Sequence, residues 1–146
     1  MSYRSDELLY MKQNWTQDSI HILSTKMGDI DDVEIKILKD ALTLNLDTQQ
    51  YAARCLQELQ NRLISYVQLK SNPYQLSNGL QGIQVLCQWQ PLDNEILMQV
   101  HGFVVYKREG FRLFSSLAEA QWRLYGDYIF QYMREIDPLA IYSVSY

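Results

Sequence analysis

From Ile83 onward the chain alternates. Ile83, Val85, Cys87 and Trp89 are separated by Gln84, Leu86 and Gln88, and after the sequence PLDN (91–94) the alternation resumes from Ile96 through Met98, Val100 and Gly102 to Val104 and Tyr106. A period of two places successive side chains on opposite faces of a strand. Two such runs around a Pro-containing turn make a β-hairpin, and a wholly apolar face on it has to be covered. A four-residue loop, KREG (107–110), then leads to a short strand from Phe111 to Phe114. Any fold for this chain must therefore hold an antiparallel sheet with at least one buried face.

The first half has a different texture. Ser5, Asp6 and Glu7 open an expected helix that carries Leu8, Met11, Trp15, Ile22 and Met27 and stops at Gly28. A second helix is expected through DIDDVEIKILKDALTLN, with Val33, Ile37, Leu38, Ala41 and Leu44 on one face; a strand through VEIKIL is the alternative. Asp47 and Gln50 form a capping box for a third, with a stripe of Ala52, Leu56, Leu59, Leu63 and Val67. Residues 71–82, rich in Asn, Pro, Ser and Gly, read as a loop between halves. Ser116 and Glu119 read as a second capping box, followed by Leu117, Leu124, Tyr128 and Tyr132. Gly126 is a defect in that helix unless a close contact needs it. Pro138 ends the helix, and the last residues read as a strand or extended tail.

The expected fold class is α+β: about three N-terminal helices packed on a three- to four-stranded antiparallel meander, with a C-terminal helix. Residues 1–146 form one domain, with a helical half (1–70), a loop (71–82) and a hairpin-and-helix half (83–146). A chain of 146 residues, 47% hydrophobic and 21% charged, suits one domain with a real core. Its net charge of −4 gives no long-range attraction to nucleic acid or anionic lipid. Neither a signal-like segment nor an apolar run of membrane-spanning length is visible, so the expected compartment is the cytoplasm.

Catalytic and cofactor signatures do not emerge. Asp29, Asp31, Asp32 and Glu34 lack the frame of a calcium loop and read as acids at a helix start. His21 and His101 have no partners at ligand spacing, and Cys55 and Cys87 read as two buried thiols. The Gly-x-x-Gly of residues 79–82 precedes a strand and lacks basic residues, so turn chemistry accounts for it. The phosphate-loop, dinucleotide and nucleophile-elbow motifs are absent. No cofactor and no metal is expected, and the order of elements identifies no lineage.

The second face of the hairpin is the informative one. A pairing centred on PLDN sets Gln88 opposite Leu97, Leu86 opposite Gln99 and Gln84 opposite His101. The KREG loop sets Val105 opposite Arg112 and Phe103 opposite Phe114. That face mixes neutral amides with aliphatic and aromatic groups, so either the protein's own helices or a partner must cover it. The candidate interaction surface is Gln84, Gln88, Leu97, Gln99, Phe103, Val105, Arg108, Arg112 and Phe114. The expected function is a small non-enzymatic protein-interaction module (adaptor, assembly factor or regulator) that binds another protein or a second copy of itself. Two alternatives stand beside it. In one, Lys107, Arg108 and Arg112 grip phosphates while an aromatic ring stacks on a base, which the acidic balance disfavours. In the other, a pocket rich in Tyr and Trp serves a small-ligand sensor or an enzyme.

Overall fold

The computed structural model describes residues 20–27 and 30–143. Six antiparallel strands form one sheet: β1 (Ile20–Met27), β2 (Ile30–Ala41), β3 (Val67–Gln75), β4 (Gln81–Leu92), β5 (Glu95–Tyr106) and β6 (Glu109–Ala118). Their spatial order is β1-β2-β6-β5-β4-β3. Helix α1 (Thr48–Arg62) connects β2 to β3, while α2 (Glu119–Arg134) and α3 (Pro138–Ser143) follow β6. This overturns the expectation of three N-terminal helices on a small sheet. The helical segment anticipated before Gly28 is strand β1 over Ile20–Met27, and its earlier part lies outside the described residues.

Strand β2 is the clearest correction. Val33, Ile35 and Ile37 alternate along it and are buried, while Lys36 and Leu38 are buried on the other side. The alternation of Val33, Ile35 and Ile37 with Glu34 and Lys36 has the period of a strand, but Ile37, Leu38 and Ala41 also fall at helical spacing, so the segment fits both patterns. The β-branched residues at 33, 35 and 37 decide the matter, because they fit a pleated, packed surface. β2 pairs with β6 through Ile37 and Leu113, and through Leu38 and Arg112.

Two turns set the registers. At the PLDN turn, β4 continues to Leu92, which pairs with Glu95, and a bulge between Trp89 and Leu92 adds one residue. Gln84 consequently faces Gly102, Leu86 faces Val100 and Cys87 faces Gln99. Relative to the expected pairing this is a one-residue slip, which moves a whole set of side chains to the other face. At the second turn the loop has two residues rather than four, since Tyr106 pairs with Glu109. Lys107 and Arg108 have φ of 48° and 62°, the left-handed pair that a tight hairpin turn requires. The pairing there shifts by two, so faces are kept: Phe103 opposes Arg112, and His101 opposes Phe114.

Helices cover both faces. Helix α1 starts with the anticipated capping box: the Gln50 backbone N–H donates to Asp47 Oδ1 at 2.7 Å, and the Asp47 N–H donates to Gln50 Oε1 at 2.9 Å. Asp47→Ala is expected to lower stability by about 1 kcal/mol, seen as an earlier urea midpoint with unchanged slope. Helix α2 begins later than expected. Ser116 is still in β6, paired with Gln99, and the Ala118 N–H donates to Gln121 Oε1 at 3.3 Å. Its buried face is Ile129, Phe130 and Met133, whereas Leu124 and Tyr128, from the expected stripe, are exposed. Gly126 is there because a Cβ would lie 2.6 Å from the Trp122 ring. Helix α3 replaces the expected terminal strand. Asp137 Oδ1 caps it by accepting from the Leu139 N–H, and the Tyr142 hydroxyl donates to the Ile37 carbonyl.

Candidate functional site

The face of the sheet beneath α1 carries an unusual set of groups for an interior. Tyr51, Ala52 and Cys55 of α1 pack with Val85 and Phe103, while Leu59 and Leu63 pack with Leu38, Trp89, Leu97 and Phe114. Between these clusters runs a polar row. His101 is stacked between two rings, 6.0 Å from Phe103 and 5.7 Å from Phe114. Outside them stand two cations: Lys36 Nζ is 5.0 Å from the Phe114 centroid, and the Arg112 guanidinium carbon is 5.7 Å from that of Phe103. All five residues are buried, His101 completely.

The stack determines protonation. His101 Nε2 donates to Gln99 Oε1 at 2.9 Å, and Nδ1 has no hydrogen-bond partner among the described residues. Burial, with Arg112 adding to it, pushes the imidazole down to about 3 from an ordinary value near 6.5. It is therefore neutral at physiological pH. Tyr51 and Cys55, one helical turn apart on α1, are both raised by burial, so neither the phenol nor the thiol is ionised for nucleophilic work.

A cleft of about 200 Å³ opens between the end of β2 and α1. Its wall includes Tyr51, Cys55 and Arg112, with Arg54 balanced by the carboxylates of Asp40 and Glu58. Its two cations and two anions leave the cleft without a net charge. A wider cleft of about 530 Å³ lies between the start of α1 and the β3–β4 edge, lined by Thr48, Gln49, Ser71, Pro73, Gln81 and Ile83.

The residues singled out as a surface separate. Gln99, Phe103, Arg112 and Phe114 are at most 1% exposed and Leu97 is 7% exposed, all on the α1 face. Gln84, also fully buried, is on the opposite face, where it donates to the Phe130 carbonyl and accepts from Arg134 Nε. Gln88 and Val105 are half-buried, and only Arg108 stands exposed, at the turn. The mixed face is thus covered by the protein's own α1, and as a free surface the set is corrected. The three-cation grip is not assembled either, because Arg112 points into the interior while Lys107 and Arg108 occupy the turn.

What the sequence reading missed is the edge strand β3. It is the outermost strand beside β4, and Val67 and Leu69 are 45% and 48% exposed, with Ile64 just before them at 55%. Val67 was expected at the end of a helical stripe. The alternation of Tyr66, Gln68 and Lys70 with Val67 and Leu69 was the available signal for a strand.

A family model described as DcrB matches residues 8–111. The chain belongs to the DcrB family. The DcrB match takes in the segment from β1 through β5 and reaches the start of β6, leaving α2 and α3 beyond it. Among solved structures, the DcrB chain is similar to PA94 of Pseudomonas aeruginosa, a protein of unknown function described as a candidate regulator. The identity is 20% over 86% of each chain, with a TM-score of 0.68, which establishes a shared fold and agrees with the sheet-dominated architecture. No curated protein matches the chain. Among the described residues no helix is long and apolar enough to cross a membrane, and no group of three or more His, Cys, Asp or Glu side chains could hold a metal.

Proposed function

We propose that this DcrB-family chain is a regulatory protein-interaction module, without catalytic chemistry of its own, that binds an extended segment of a partner protein along strand β3. The exposed apolar run of Ile64, Val67 and Leu69 at the β3 edge, which pairs with no further strand among the described residues, carries this reading. An edge strand has a row of backbone donors and acceptors that another strand can complete, while alternate side chains supply selectivity. Lys70, Pro73 and the irregularity between Gln68 and Lys70 confine that row to a short stretch. The occupant is therefore one short extended segment rather than an open-ended stack of copies. The likeness in fold to a protein described as a candidate regulator is compatible with this role. Cys55 and Cys87, both buried thiols, are compatible with a cytoplasmic setting.

The double substitution Val67→Glu with Leu69→Glu tests it. Both positions are exposed, so the thermal midpoint is expected to stay within a few degrees. Partner recovery in affinity purification from the native source is expected to fall at least tenfold relative to the wild-type chain. Undiminished recovery by the folded double variant contradicts the β3 edge as the contact surface. Sedimentation of the purified chain separates a hetero-partner from a second copy.

A further inference from the structure

The row under α1 is built in an unexpected order: cation, ring, imidazole, ring, cation. Lys36 comes from β2, Phe114 and Arg112 from β6, and His101 and Phe103 from β5. Both rings that enclose His101 also support α1. Tyr51 meets Phe103 edge-on at 6.1 Å, and Leu59 and Leu63 share a cluster with Phe114. The helix thus rests on the two walls of the histidine's compartment.

Near the imidazole stand Lys36 from β2, Arg112 from β6, Gln99 from its own strand and Val85 and Cys87 from β4, while Tyr51 and Cys55 of α1 pack on Phe103 and Val85 beside it. None of these is a carboxylate; the half-exposed carboxylates of Asp40 and Glu58 line the outer cleft together with Arg54 and Arg112. A proton added to His101 would place a positive charge on a fully buried imidazole whose nearest charged neighbours, Lys36 and Arg112, are both cations. Relief comes most directly by exposing the imidazole, which requires the helix resting on its walls to lift.

We propose that the Lys36–Phe114–His101–Phe103–Arg112 stack is an acid-sensitive latch that holds helix α1 on the sheet near neutral pH and releases it locally on mild acidification. The direction follows from linkage. The folded value of His101 lies below that of the exposed side chain, so the latch is fully closed above about pH 6.5 and weakens as pH falls toward 3. One proton taken up on opening raises the opening constant by about tenfold per pH unit within that window. α2 packs on the other face, through Ile129 and Met133, and does not touch the stack.

Amide hydrogen exchange of the full chain, corrected for intrinsic rates and followed from pH 7 to 4.5, tests the latch. Peptides covering residues 48–62 are expected to lose protection about a hundredfold by pH 4.5, while those covering residues 119–134 keep theirs. In His101→Phe, which keeps a ring in the stack, the protection of residues 48–62 is expected to be flat with pH. His101→Gln, with a neutral amide in place of the imidazole, is expected to behave likewise and serves if the first variant does not fold. Loss of protection in both helices together, or the same pH dependence in wild type and either folded variant, overturns the proposal.

Discussion

Phe103→Glu is expected to destroy or severely weaken the fold rather than to loosen an association. Phe103 is fully buried, meets Tyr51 edge-on at 6.1 Å and forms one wall of the His101 compartment. Deleting such a ring costs about 3–5 kcal/mol through lost burial and the cavity left behind. A carboxylate there adds the cost of burying a charge. Arg112, directly across the strand pair, offers a counter-charge, but a buried ion pair roughly breaks even against an apolar pair. The net loss therefore stays near that of the ring deletion, a large part of the stability of a domain this size. Urea titration followed by circular dichroism should show Phe103→Glu and Phe103→Ala both largely unfolded or shifted to much lower midpoints. Retention of the wild-type midpoint would mean that the α1 face is open to solvent.

Gly110→Val has the second large effect. Gly110 ends the KREG segment, where a hairpin loop would use a glycine for left-handed backbone, but the residues with that conformation are Lys107 and Arg108. Gly110 lies within strand β6, opposite Val105, and a Cβ there would stand 2.5 to 2.8 Å from carbons of the Tyr51 ring. Tyr51 is 1% exposed, so the ring cannot swing into solvent without lifting the first turn of α1. The expected loss is about 2–4 kcal/mol, in the range of overpacked and strained core sites. Arg108→Gly makes the contrast. It removes a side chain from a left-handed position and is expected to be neutral or stabilising by up to about 1 kcal/mol. Equal losses in both variants would return the glycine requirement to the turn.

The parts of the fold written in local chemistry were legible. Asp47 and Gln50 announce α1, the alternation of Ile83 to Trp89 and of Ile96 to Tyr106 announces β4 and β5, and the faces shared by β5 and β6 survived a two-residue shift in register. What failed depends on long-range packing. β2 buries Val33, Ile35 and Ile37 on one side and Lys36 and Leu38 on the other because helices lie on both sides. VEIKIL alone does not separate such a strand from a helix carrying Ile37, Leu38 and Ala41 on one face. The bulge between Trp89 and Leu92 holds Pro91, which reads equally well as a turn residue, and its single extra residue moved Gln84 away from His101 and Phe103. That slip made an interior row look like a surface. The edge of β3 went unnoticed for a related reason: Val67 follows a helix whose stripe it seemed to continue. His101 and Arg112 read as polar residues of a mixed face that either helices or a partner would cover, and only the three-dimensional stack with Phe103 and Phe114 shows why an interior can hold them.

The central claim is that a partner segment lies along the β3 edge, and a photo-crosslinking amino acid placed at residue 69 tests it most directly. A matched chain carries the same group at residue 108, on the exposed β5–β6 turn. Crosslinks from residue 69 to one contiguous extended stretch of a single protein, with none from residue 108, are the predicted result. Crosslinks from residue 108 alone would contradict the account.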